Sequence, residues 1–256
     1  MEKIINFMKN ELEIIERIKE VYPKNGLKKT KEILNIGHRV LKRILVENNI
    51  ERSSKVNIDF TEKKFIYLLG LLWSDGHISK KNNLLGIECL ETDMIKFKPI
   101  LESVSVWSYY RRERQHKPVV NAYITDKLFR NLLAENDYLE KSTKSPNKIY
   151  SKIPKELKKY FMLGIVDGDG CFYFNKKQYA RQFILTGTYE QDWSLFEDFF
   201  NEIEAKYSII RIRNKKSGYS QFRITNKKDL INLGNLLYDD MIILDRKHQS
   251  WLKTIS

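Results

Sequence analysis

Two aspartates close two similar stretches of this chain. Asp75 ends "FIYLLGLLWSDG" (Phe65–Gly76) and Asp169 ends "YFMLGIVDGDG" (Tyr160–Gly170); each follows an apolar run and precedes a glycine. A carboxylate at the end of a greasy segment is desolvated, and two brought together raise each other's pKa. A divalent cation resolves both conflicts. Hard oxygen donors suit Mg²⁺, which keeps water and completes its shell with one or two carboxylates and phosphate oxygens. The chemistry this points to is phosphodiester hydrolysis, in which the cation activates water and stabilises the leaving oxygen. "DGDG" alone also resembles part of a calcium loop, but the next acid after Asp169 is Glu190, too distant to close an EF-hand.

The elements that must position these acids are helices. Each run carries an internal glycine, Gly70 or Gly164, and glycine in a helix interior costs about 1 kcal/mol relative to alanine. Its recurrence at one place in both stretches calls for a compensating gain, and close approach of two helix backbones supplies one. Packed through Gly70 and Gly164, the helices would end side by side with Asp75 and Asp169 projecting together.

The similarity continues downstream. "NAYITDKLFRNLLAENDYLEK" parallels "SQFRITNKKDLINLGNLLYDDMIILDRK", each a strand closing on Ile-Thr before an amphipathic helix. Between them, "ECLETDMIKFKPILESV" and "GTYEQDWSLFEDFFNEI" read as helices with an aspartate near the start. "SYYRRERQHKPVVNAYIT" and "IIRIRNKKSGYSQFRIT" read as hairpins. The organisation expected is therefore a helical head over 1–57 and two repeats over 58–150 and 151–256. "KSTKSPNKIYSKIP", with Pro146 and Pro154, is expected to be a linker crossing a phosphate-rich surface.

"LLGLLWSDG" (Leu68–Gly76) and "MLGIVDGDG" (Met162–Gly170) resemble the two motif copies of a single-chain LAGLIDADG homing endonuclease, from about Ile58 to the last residue. The resemblance implies an α+β fold of two pseudo-symmetric αββαββα halves forming a DNA-binding saddle, here with a small all-α domain in front. It implies a site-specific, monomeric, double-strand endonuclease for intron or gene mobility, cutting a long non-palindromic site and leaving short 3′ overhangs. Two or three Mg²⁺ ions are implied at Asp75 and Asp169, with Mn²⁺ able to substitute. The lysine that the family carries after the last helix of each repeat maps onto Lys141 and Lys247, to polarise phosphate or orient water. The earlier motif acid is Asp167 in the second copy but Trp73 in the first, so Asp167 reads as structural. Alternatives of the same fold are a DNA-binding regulator without cleavage and an intron-RNA maturase, for which RNA replaces duplex DNA as partner.

Composition agrees with a polyanionic partner. The chain of 256 residues has 46 Lys+Arg against 33 Asp+Glu, a formal charge of +13. Strand alternation puts Arg211, Arg213, Gln221, Arg223 and Thr225 on polar faces, with Ile212, Phe222 and Ile224 turned to the core. Lys176 and Arg181 join them from the preceding hairpin. In the first repeat Asn121 and Tyr123 alternate with Ala122 and Ile124, and Tyr109, Arg111, Arg112 and Arg114 line the neighbouring arm. Such ribbons fit the major groove.

In the head, "LKKTKEILNIGHRVLKRILVENNI" has helix-turn-helix spacing, with Asn35 where a left-handed residue is needed and His38, Arg39 and Lys42 on the second helix. Residues 24–55 hold nine basic and three acidic side chains, favouring DNA contact over a bundle that merely packs. Cys89 and Cys171 have no CxxC pairing, so neither a disulfide framework nor a zinc site is indicated. No run reaches membrane-spanning length. The expected location is intracellular, in cytoplasm or nucleoid, and the Lys, Asn and Ile content fits a phage or mobile element.

Overall fold

Helical periodicity at the start of the chain is realised as α1 (Glu2–Leu34) and α2 (His38–Glu47). Gly26, at φ 69°, breaks α1. Asn35 turns the chain into α2 at φ 49°, the left-handed backbone that asparagine tolerates. Ile18, Leu41, Ile44 and Leu45 form a small core of their own. The computed structural model describes residues 2–51, 53–79, 84–115, 117–213 and 218–256. The chain divides into two units, Met1–Ser54 and Lys55–Ser256.

The second unit repeats one sequence of elements. The first half runs α3 (Lys63–Asp75), β1 (Gly76–Ile78), β2 (Leu85–Leu90), α4 (Glu91–Val104), β3 (Ser108–Arg114), β4 (Lys117–Ile124) and α5 (Lys127–Glu135). A connector holding α6 (Asn147–Tyr150) leads to α7 (Lys158–Asp169), β5 (Cys171–Asn175), β6 (Ala180–Thr188), α8 (Ser194–Glu202), β7 (Ser208–Arg213), β8 (Gly218–Ile224) and α9 (Lys227–Leu237), with α10 (Asp245–Ile255) added. The sheets have the same order, β1-β2-β4-β3 and β5-β6-β8-β7, and every pairing is antiparallel. This is the expected αββαββα architecture, twice. The residue after each Ile-Thr caps the next helix: Asp126 accepts from the Phe129 amide, and Asn226 from the Lys228 and Asp229 amides.

One core spans both halves. At its centre α3 and α7 touch backbone to backbone. A Cβ on Gly70 would collide with the Phe161 carbonyl and lie 3.2 Å from the Ile165 nitrogen; one on Gly164 would strike the Tyr67 carbonyl and lie 2.6 Å from the Leu71 nitrogen. Neither obstacle can swing aside, which is why both positions are glycine.

The connector, read from its prolines and lysines as a linker, also contributes to the core. Ile149, Tyr150 and Ile153 are buried, and Tyr150 packs edge-on to Phe161 of α7 at 5.6 Å between ring centres. Its apolar residues recur closely enough to seal the end of the helix pair, and that outweighs its lysines and prolines.

Candidate active site

The glycine contact brings the ends of α3 and α7 together. A methyl carbon on Gly168 would sit 3.2 Å from Asp75 Oδ2, so the first carboxylate lies against the backbone next to the second. Burial, then the charge of Asp169, pushes the Asp75 pKa up to about 6, against the pull of Lys141, Lys247 and Arg246. Asp169 reaches solvent, yet the protein around it leaves its carboxylate poorly hydrated and its pKa raised, with Lys141 and Lys247 opposing. Among the described residues neither carboxylate accepts a hydrogen bond or forms an ion pair. A cleft lined by Trp73, Lys141, Asp169, Thr186 and Thr188 opens beside them.

Both lysines stand at this place, one per half, and both grip backbone. Lys141 Nζ donates to the carbonyls of Leu72 (3.3 Å), Ser74 (2.8 Å) and Gly76 (2.6 Å). Lys247 Nζ donates to the Gly168 carbonyl at 3.4 Å and to that of Gly170. Each ammonium thus caps the carbonyl end of its own half's helix, where the helix dipole favours a cation. Burial drives the Lys141 pKa down to about 8 and lowers that of Lys247. With its protons committed to carbonyls, each acts on the aspartates as a fixed charge through space.

The donor set fits a hard divalent cation. It offers carboxylate oxygen, no sulfur or imidazole, and two acids whose charge is otherwise uncompensated by direct contact. No group of three or more His, Cys, Asp or Glu able to hold a metal occurs among the described residues. The residues present would offer such a cation two carboxylates, Asp75 and Asp169.

Asp167 lies apart from this pair in its contacts. It is buried in the helix pair and accepts from Tyr67 Oη at 2.8 Å across the two halves, and its pKa is raised to about 7 by burial. Trp73, at the matching position, packs edge-on to Tyr138. His248 meets the Tyr238 ring edge-on and lies tilted against Trp251, with centroids 5.0 and 5.5 Å away.

The strands beyond the aspartates sort the basic residues into two faces. Directly opposed residues of an antiparallel pair share a face. In the first sheet Ile87, Ala122 and Ile124 face the core, so Asn121, Tyr123, Glu88, Tyr110, Arg112 and Arg114 share the open face. Tyr109 and Arg111 do not join them. They turn toward α4, where Arg111 Nε meets Glu91 at 2.9 Å and Lys98 lies over the Tyr109 ring.

The second hairpin contradicts the expected grouping more sharply. Arg211 pairs with Ser220 and Arg213 with Gly218, on the side of core residue Phe222, whereas Gln221 and Arg223 pair with Ile210 and Ser208 on the open face. Arg211 donates to the Tyr189 and Gln191 carbonyls, and Arg213 lies over the Tyr189 ring. Ile212, expected in the core, stands with Tyr219 on the open face and is 37% exposed. Alternation fixes faces within a strand; the hairpin register decides which faces of two strands coincide, and here odd numbers join even.

Arg223 donates to Gln221 Oε1, and Gln221 Nε2 donates to Thr186 Oγ1 at 3.3 Å, linking three open-face polar residues. Arg181 also departs from the expected grouping: it opposes Phe174 on the side of core residue Phe183 and packs over the Phe174 ring, while Lys176 lies in the exposed β5–β6 turn. Glu88, Tyr110, Gln182, Thr186 and Tyr219 carry no motif that marks them in the sequence, and counting register outward from each hairpin would have found them. In the first unit His38, Arg39 and Lys42 are exposed on α2. Val40, at 45% exposure, lies outside that unit's core despite its apolar spacing. No helix among the described residues is long and apolar enough to cross a membrane.

No protein-family model and no curated protein matches the sequence. Among solved structures the chain is similar to I-SmaMI bound to uncleaved DNA target in the presence of calcium ions, at 12% identity over 73% of this chain and 89% of that one, with a TM-score of 0.48. It is similar to mesophilic variants of the homing endonuclease I-DmoI at 15% identity, covering 70% of this chain and 98% of that one, TM-score 0.48. It is also similar to the LAGLIDADG meganuclease I-AabMI bound to uncleaved DNA, at 14% identity over 74% and 89%, TM-score 0.48. Two αββαββα halves with paired motif helices and a helical N-terminal extension are the architecture that the motif resemblance implies.

Proposed function

We propose that this chain is a single-chain, site-specific double-strand DNA endonuclease of the LAGLIDADG kind, dependent on Mg²⁺ or a similar divalent cation. The observation that carries the reading is the pair Asp75 and Asp169 at the joined ends of α3 and α7, one from each half and neither with a direct partner. These two side chains would hold the cation, which when bound supplies charge stabilisation at the scissile phosphate and activates water. Lys141 and Lys247 keep the carboxylates ionised and offset the negative helix ends. The open sheet faces hold the duplex in register over the site, and the net positive charge draws it in. Because the two halves differ in open-face residues, one chain would read a non-palindromic site as a monomer.

The test is cleavage of supercoiled plasmid carrying a target selected from a random library, in Mg²⁺ and in EDTA. Wild type should linearise it only with the cation. Asp75→Asn and Asp169→Asn should each lose linear product by roughly 10²-fold or more, since several kcal/mol of charge stabilisation are removed. Wild-type rates in both variants would overturn the assignment. Selective binding without nicking by the wild type would leave a DNA-binding protein that does not cut.

A further inference from the structure

Glu88 is the one carboxylate on the open face of either sheet among the described residues. It stands on β2 opposite Asn121 of β4, and the open-face positions of β5 to β8 hold only neutral or basic side chains. A carboxylate on a surface that meets a polyanion repels it, so this position weakens general DNA affinity. Its environment is specific. Glu88 is only 17% exposed, Arg112 Nη2 donates to its Oε2 at 2.5 Å, and Arg114 Nη1 donates to its Oε1 at 3.3 Å. Both arginines are at least half exposed on the same face. The hydrogen bond from Arg112, helped by the charges of both arginines, lowers the pKa of the carboxylate, so it stays an acceptor throughout the neutral range.

An ionised acceptor beside an oriented guanidinium matches one base pair in particular. In the major groove arginine forks the O6 and N7 acceptors of guanine, and a carboxylate accepts from the N4 amino group of cytosine. Adenine and thymine offer a different order of donors and acceptors. Resting on the DNA-binding reading above, we propose that Glu88 is a specificity-determining residue: with Arg112 it commits the first sheet to a G·C pair, with Arg112 on guanine and Glu88 on the cytosine amino group.

The experiment uses the full chain carrying Asp169→Asn, so that bound duplex survives. It is incubated with a randomised duplex library in Mg²⁺, and bound molecules are sequenced. Glu88→Gln, Glu88→Ala and Arg112→Ala are then added singly, with thermal melts to confirm folding. The Asp169→Asn parent should select a motif containing a fixed G·C pair. Glu88→Ala should relax preference at that pair about tenfold or more, leave the other positions intact and bind unselected DNA more tightly. Glu88→Gln, which keeps an oxygen acceptor, should retain much of the preference, and Arg112→Ala should lose preference and affinity at the same pair. An unchanged motif in Glu88→Ala, or a change at an A·T pair, overturns the inference while the DNA-binding reading stands. Failure of the parent to select any motif sinks both, and is seen before Glu88 is altered.

Discussion

At the residue scale the chemistry of the site is set by how costly its charges are. Asp75 has its pKa raised from 3.8 to about 6, chiefly by burial and then by Asp169. A raised carboxylate contributes to stability below its unfolded pKa, and that contribution is lost as pH rises through the folded value. Asp75→Asn should therefore stabilise the protein by up to about 3 kcal/mol at pH 8, with no gain near pH 3; melting curves at the two pH values measure this. Equal gains at both would mean that the carboxylate is not strained. The same titration bears on activity. When cation is limiting, protonation of the acid below about pH 6 competes with ligation, so the proposed cleavage should fall by up to about tenfold per pH unit there. Lys247 lowers the pKa of both aspartates, so Lys247→Met should move that limb to higher pH, read from rate profiles of the two proteins. An unmoved limb would show that the lysine acts otherwise.

At the element scale the helix pair depends on backbone contact at Gly70 and Gly164. Alanine at either must push α3 and α7 apart, since its methyl meets main chain that is itself hydrogen-bonded in a helix. Each substitution should cost about 2–3 kcal/mol or more by denaturant unfolding, and cleavage should fall further than stability because the carboxylates separate. A variant of wild-type stability and activity would refute the contact. This part of the molecule was legible in the sequence, because a glycine and an acid at fixed offsets in a local apolar run carry their meaning with them. The ribbon faces were less so. Arg111 and Arg112 are neighbours and must point oppositely, and Arg211 and Gln221 share a face or not according to a register set by the turn. The carbonyl partners of Lys141 and Lys247 were also out of reach, since they depend on where the chain returns after α5 and α9. Only the positions of the two lysines could be read.

At the scale of the whole molecule the chain is two units with separate cores, Ile18, Leu41, Ile44 and Leu45 in one and the helix-and-sheet core in the other. Lys55 begins the larger unit: its carbonyl accepts from Ser105 Oγ at 2.9 Å and its amide donates to Asp126. A chain of residues 55–256 should consequently keep a cooperative melt and its plasmid cleavage. Its affinity should show what the head contributes. If Arg39, Lys42 and Arg43, all exposed on α2, each neutralise a phosphate, removing them should make the slope of log affinity against log salt shallower by roughly 2–3. Fluorescence titrations of full-length and shortened protein on one selected duplex, across a salt series, measure the difference. Equal slopes would mean that the head stays off the DNA and that its basic helix serves another partner, while loss of the cooperative melt would mean that the two cores are not independent.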